Sequence, residues 1–477
     1  MKIVHTDVAV IGAGSAGLGA YHAARKCGKK AVLIESGVYG TTCARVGCMP
    51  SKLLIAAADV AHQIAHSDGF GVHAGGLSID GKAVMDRVKA ERDRFVGFVV
   101  DDMSSFPSDD KIMGEARFVS DKVLAVGDHT QVHATSIVIA TGSRAVIPDA
   151  FSQLGDRAII NDDVFEWETL PRSVVVFGPG IIGIELGQAL SRLGVHVRIF
   201  GMSGSLASIS DAKVKEKAKH IFQSELYLDV DARVLETTAH SDGVSVTYVN
   251  LENEKVTERF DYALIATGRA PNVASLALAN TSLALDKHGV PAFEPRSMQC
   301  GDTSIFMAGD VDNMLPVLHE AVDEGRIAGQ NAASFPKVTC YKRRAPLSIV
   351  FTDPQIAVVG KRYSQIKDED IVVGSVSFDD QGRARVMRQN RGLLNIYARC
   401  GSGELLGAEM VAPAAEHLAH LVAWAVQSKM TVAQILDMPI YHPVVEEGLK
   451  TALRHAISQL KQIRQDRSPK DEDDDQA

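Results

Sequence analysis

An α/β fold with two Rossmann-like nucleotide-binding domains and a separate C-terminal α+β domain is predicted by three observations. Two stretches share one pattern, a β-branched run, a glycine-rich turn and an alanine- and leucine-rich helix: DVAVIGAGSAGLGAYHAARKCGKKAVLIES from Asp7 and SVVVFGPGIIGIELGQALSRLGVHVRIFG from Ser173. Each continues into a second β-branched run, which completes a βαβ unit. From about residue 345 the pattern changes: APLSIVFTDPQIAVVG and GSVSFDD read as strands, EHLAHLVAWAVQSKM and EEGLKTALRHAISQLKQI as helices.

Length and composition agree with that division. A chain of 477 residues, 46% of them hydrophobic, is too long for one core and long enough for three. The net charge of −9, with no basic stripe interleaved with aromatics, argues against a nucleic-acid partner. The apolar runs end in glycine at strand length, well short of the roughly 20 residues that span a bilayer, so no membrane segment is expected. MKIVHTDVAV enters a strand at once and leaves no room for a secretion signal, so a cytoplasmic protein is expected. Thiols stay reduced there, and a close cysteine pair is then catalytic or metal-binding rather than a structural staple.

In the first unit Gly12, Gly14 and Gly17 form G-x-G-x-x-G after a strand and before a helix, and Glu35 closes the second strand. Gly12 permits the tight turn, Gly14 lets a pyrophosphate approach the backbone, Gly17 allows close packing, and Glu35 suits ribose hydroxyls. A helical region follows over about residues 50 to 105, then alternating strands and SIVIATGSRAVIP, a strand that stops at a glycine turn. In the second unit Gly178, Gly180 and Gly183 repeat the frame, but Gly201 stands where an acid would close the next strand. An acid selects NAD and a nearby arginine NADP. Only Arg198 lies close, inside the strand, where alternation leaves its direction open; NAD is the expectation and NADP the alternative. YALIATGRAPN, from Tyr262, repeats the earlier strand and turn, and TSIFMAGDVDN, from Thr303, ends another strand in glycine and aspartate. Two nucleotide units in one chain suggest one held and one exchanged cofactor, a flavin with a nicotinamide. The expected domains are 1–146 with 270–344, 147–269, and 345–465, followed by an acidic, disordered tail over 466–477.

TTCARVGCMPSK, residues 41 to 52, holds Cys43 and Cys48. A metal site would need two further ligands, and the other cysteines are single and scattered. Four intervening residues including Gly47 can loop so that the two sulfurs meet. Two ordinary thiols and a redox disulfide both remain open on these residues alone.

Together with GAGSAG, MAGDV and HPVVEE, the stretch TTCARVGCMPSK resembles the pyridine nucleotide–disulfide oxidoreductases, and among them the dihydrolipoamide dehydrogenases, over nearly the whole chain to about residue 465. The resemblance implies FAD on the first unit, with Glu35, Thr42, Ala116, the Thr141–Gly142–Ser143 turn, Gly268, Asp310 and His319 as cofactor contacts. It implies Lys52 beside the flavin, paired with Glu185, and residues 345–465 as the interface of a homodimer. Cys43 would meet the substrate and Cys48 would face the flavin. His442 would be the acid–base group, oriented by Glu447 and supplied by the opposite subunit, so that each active site is shared. An unperturbed histidine titrates at about 6.5, which suits proton traffic to and from thiols.

The implied activity is oxidation of dihydrolipoamide by NAD+ through FAD and a Cys43–Cys48 disulfide, alone or in a 2-oxo acid dehydrogenase complex. Ile440-Tyr441-His442-Pro443-Val444 departs from the H-A-H-P-T usual in dihydrolipoamide dehydrogenases, which bears on the substrate. Alternatives are a glutathione-reductase-like enzyme using NADPH and a flavin-binding scaffold subunit. Mercuric and high-molecular-weight thioredoxin reductases are less favoured, for want of a C-terminal cysteine or selenocysteine pair.

Overall fold

The computed structural model describes residues 1–467, which fall into two compact units. One comprises Met1–Pro171 and Leu264–Arg343, the other Arg172–Ala263 and the chain from Arg344 onward.

The first unit is built on a sheet whose centre is five parallel strands, in the order Ile305–Met307, Thr130–Ile139, Lys2–Ile11, Ala31–Glu35 and Lys111–Met113. Val8, Ala9 and Val10 are fully buried, as the uninterrupted apolar run requires of a parallel strand covered on both faces. The helix Ser15–Lys26 crosses over to the strand Ala31–Glu35, and the register Val8↔Ala31 to Ile11↔Ile34 ends both strands at the glycine turn. The two similar strand-and-turn sequences are partners: Ser143–Ala145 pairs antiparallel with Arg269–Pro271.

In the second unit the strands Ser173–Phe177, His196–Phe200 and Tyr227–Asp229 run parallel, with the helix Ile181–Arg192 as the crossover between the first two and Ala212–Gln223 leading to the third. A five-stranded antiparallel sheet follows, ordered 347–350, 355–360, 405–412, 393–399 and 371–377. The helices Ala415–Gln427 and Glu447–Arg467 contribute Leu418, Val422, Leu449 and Leu453 to the core beneath it. The last helix runs two residues past the expected end at 465, and the rest of the acidic tail, from residue 468, lies outside the described residues. Among the described residues no helix is long and apolar enough to cross a membrane.

Candidate active site

The first fingerprint opens on a cleft of about 560 Å³. Gly12 sits at φ 104°, and a Cβ there would stand 2.3 Å from the Ala140 carbonyl oxygen; one on Gly17 would stand 1.8 Å from the Gly12 oxygen. No side chain fits at either position. Gly14, by contrast, faces open space as the N-cap of the crossover helix, whose first turn has no acidic residue and no side-chain cap. Its unpaired N–H groups are suited to a pyrophosphate. Glu35 accepts from Ala13 N at 2.7 Å and Gly37 N at 2.8 Å, one bond per oxygen, which aims its remaining lone pairs at the cleft. Thr42, Ala116, Thr141 and Gly142 also line this space, so the residues present fit an FAD-sized dinucleotide.

Gly17, Ser143, Gly268, Asp310, His319 and Lys52 are not in the cleft wall, although they belong to the same unit. Ser143 Oγ donates to Asp310 Oδ2 at 3.0 Å, which ties the TGS turn to the GDV loop. Gly268 takes φ 142° and accepts Val146 N through its carbonyl; His319 lies near the start of the helix Leu318–Ser334.

The dithiol turn consists of the short helix Thr42–Val46, Gly47, and the helix Cys48–Ala65. Thr41, at φ 58°, caps the first by accepting Ala44 N at 3.2 Å. Pro50 falls in the first turn of the second helix, where a missing N–H costs no hydrogen bond. Cys43 is half-buried and Cys48 exposed, and their thiols are hydrogen bonded. That bond, then burial, then the charge of a Cys48 thiolate push the Cys43 thiol far up, opposed by the Lys52 cation. Lys52 is four residues after Cys48, on the same helix face.

Beneath the GDV loop lies a carboxyl cluster that sequence reasoning missed. Arg343 donates to Glu320 Oε2 and Glu324 Oε1, both at 2.6 Å, and Glu324 Oε2 accepts Gly309 N at 2.9 Å. Asp312 Oδ1 accepts Met314 N at 2.8 Å, while Oδ2 gains a partner only if the acid is protonated and donates to Glu324. Burial and the Glu324 charge push Asp312 up to about 7. A folded-state value raised above the unfolded one means stability that is full below about pH 4 and lost as pH rises through about 7. Asp312→Asn keeps a donor toward Glu324 without titrating, so wild type is expected to lose stability relative to this variant between pH 4 and 8. Urea unfolding across that range checks this; a pH-independent difference would refute it.

The second fingerprint has the same construction. Gly178 takes φ 107°, a Cβ on Gly183 would stand 1.9 Å from Gly178 O, and Gly180 is the N-cap of the crossover helix, with no side-chain cap. At Gly201 a Cβ would meet Pro179 Cγ and Val230 O, each at 2.7 Å, so the customary acid has no room there. Arg198, whose direction alternation left open, lies over the Tyr227 ring at 4.7 Å and donates to Glu258 at 3.2 Å. Glu185 is buried on the crossover helix and accepts Phe351 N at 2.7 Å.

His442 Nδ1 lies 3.1 and 3.0 Å from the two carboxylate oxygens of Glu447, the first residue of the last helix. Glu447 Oε2 also accepts Val444 N, and the histidine bond foremost holds its carboxyl below the usual range. With Nδ1 engaged, Nε2 is left to exchange protons, and the His442 side chain is 80% exposed.

This geometry can be set beside known proteins. The family description "Pyridine nucleotide-disulphide oxidoreductase" matches residues 6–325, and its dimerisation domain matches residues 347–453. The chain belongs to this family. Members are oxidoreductases that use FAD and a pyridine nucleotide, and this one carries the dimerisation domain. Dihydrolipoyl dehydrogenase of Geobacillus stearothermophilus is 30% identical over 469 residues, covering 95% of this chain and 97% of that protein. Mercuric reductase of Shigella flexneri is 30% identical over 477 residues, covering 96% and 82%. The HOCl-induced flavoprotein disulfide reductase RclA of Escherichia coli shares the fold, with a TM-score of 0.80 at 23% identity over 94% of this chain and 99% of that one.

Within the oxidoreductase's first unit, Asn272 was another omission from the sequence-predicted set. Its side chain donates to Thr141 O at 3.0 Å and its carbonyl accepts Thr141 Oγ1 at 2.7 Å, which locks the two similar turns together at the cleft. The repeated IATG was the available signal for that pairing.

Proposed function

We propose that the protein oxidises dihydrolipoamide with NAD+ through a Cys43–Cys48 disulfide, as a homodimer. The observation that carries this reading is the hydrogen-bonded Cys43–Cys48 pair in the same unit as the dinucleotide cleft. FAD would be held along the cleft by Gly12, Gly14, Glu35, Thr42 and the Thr141–Gly142 turn, and would supply the two-electron chemistry between dithiol and nicotinamide. The chain's own residues do the thiol and proton work. In the oxidised enzyme a substrate thiolate attacks Cys43 Sγ; the Cys43–Cys48 bond breaks and Cys48 leaves as thiolate. The second substrate thiolate attacks the mixed disulfide, the cyclic disulfide product departs, and Cys43 is left reduced. His442 of the opposite subunit takes the substrate's proton on Nε2 while Glu447 holds Nδ1. Its exposure and the dimerisation domain support a site completed by the second subunit.

NAD is favoured over NADP because Arg198 is engaged with Glu258 and Tyr227 and no arginine follows in the Gly201–Asp211 loop. The mercuric reductase relative, as similar in identity, supports a second reading in which a metal ion is the substrate to be reduced. Steady-state kinetics of the FAD-loaded protein decide between them. Dihydrolipoamide with NAD+ is expected to turn over faster than glutathione disulfide with NADPH or Hg(II) with NADPH. Turnover confined to either of the latter pairs would reassign the substrate, and no turnover with FAD bound would reject the enzyme reading.

A further inference from the structure

The dithiol turn is held from outside by a side chain that neither nucleotide binding nor thiol exchange accounts for. Asn161 opens the short helix Asn161–Val164 and is 6% exposed. Its Nδ2 donates to the Val46 carbonyl at 2.8 Å and to Asp162 Oδ1 at 2.9 Å, which occupies both amide hydrogens. Val46 ends the helix that carries Cys43, and a helix end leaves such carbonyls without an internal partner. Gly47 follows, and then Cys48. The bond from Asn161 therefore fixes the segment whose shape sets the separation of the two sulfurs.

From Asn161 a line of polar groups leads on to the GDV loop. The charges of Arg269 and Arg45 act on Asp162, opposing the upward push of burial. Arg269 donates from Nε to Ser143 Oγ at 2.8 Å and from Nη2 to Ser143 O at 2.7 Å. Ser143 Oγ donates in turn to Asp310 Oδ2. All of these residues belong to one unit, so the dithiol turn and the loop that bears Asp310 share one polar frame.

We propose that Asn161 is a positioning residue for thiol–disulfide exchange: its grip on Val46 keeps Cys43 and Cys48 in bonding register through both redox states. The inference rests on the reading of these cysteines as the redox pair. Disulfide formation tolerates a narrow range of backbone separations, and a turn hinged at glycine would otherwise let the reduced thiols part.

The test uses the FAD-loaded enzyme with Asn161→Asp, which keeps the shape but cannot donate to a carbonyl, and Asn161→Ala as the second variant. Both are expected to lower dihydrolipoamide turnover by about tenfold or more, as sub-ångström misplacement of reacting groups does. Both should also shift the midpoint potential of the dithiol couple, with FAD content and thermal midpoint close to wild type. An unmoved potential in both variants overturns the proposal, and so does loss of FAD and fold in both, which would make Asn161 a general structural anchor. If wild type itself shows no two-electron dithiol couple, the redox-pair reading fails first, and the two failures are thereby distinguished.

Discussion

Cys43→Ser should lose dihydrolipoamide oxidation by about a thousandfold or more while FAD stays bound, because a serine hydroxyl cannot take over as the exchanging sulfur. Cys48→Ser should lose turnover to a similar extent, yet the two variants should differ in their spectra. Cys48, at the first residue of the helix Cys48–Ala65 and four residues before Lys52, is the sulfur placed to carry a stabilised thiolate. The Cys43 thiol is pushed up by its bond to Cys48 and by burial. A thiolate against the flavin gives a long-wavelength absorbance band, which Cys43→Ser should retain and Cys48→Ser should abolish. A band surviving in Cys48→Ser would reverse the roles, and undiminished turnover in either variant would remove the disulfide from the reaction.

The parts of this site legible in the sequence were those fixed by local backbone geometry. Gly12, Gly17 and Gly183 could be read because each stands where a Cβ would strike backbone within a few residues or on the adjoining strand, a constraint that shows as residue type at fixed spacing. The His442–Glu447 pair spans five residues, and its pairing was implied by the family resemblance that HPVVEE carries. Arg198 was not legible: alternation left its direction open, and its partner Glu258 lies 60 residues further on. Asn161 and Val46, 115 residues apart, and Arg269 and Ser143, 126 apart, leave no local pattern at all. The sealing of Gly201 depends on Pro179 and Val230, so the missing acid was visible and its cause was not. The side chains proposed to hold the chemistry in place make long-range contacts, whereas those proposed to perform it sit in short motifs.

Glu409→Ala should be strongly destabilising although the residue lies outside the proposed catalytic set. Glu409 is fully buried and accepts four hydrogen bonds: from Ser210 N at 2.6 Å, Ser210 Oγ at 2.5 Å, Asp211 N at 2.8 Å and Tyr363 N at 2.8 Å. Asp211 in turn caps the helix Ala212–Gln223 through Lys213 N and Val214 N, and its other oxygen accepts Asn395 Nδ2 at 2.7 Å and Tyr397 OH at 3.0 Å. Burial and these carboxylates push the Tyr397 phenol well above its usual range, so it remains a donor. Each carboxylate is offset by donors rather than by a cation, and that makes removal costly: the donors stay buried while their acceptor disappears. Truncation should cost about 3–5 kcal/mol, the scale for breaking a buried charged network. Glu409→Gln preserves the volume but turns an amide group toward N–H donors, and should cost a large fraction of the same amount. Hydrogen exchange at Lys213 and Val214 reads the effect locally, with protection expected to fall by about a hundredfold or more in the alanine variant. A loss below about 1 kcal/mol would mean that water replaces the carboxylate without strain and that the network does not hold the loop before this helix.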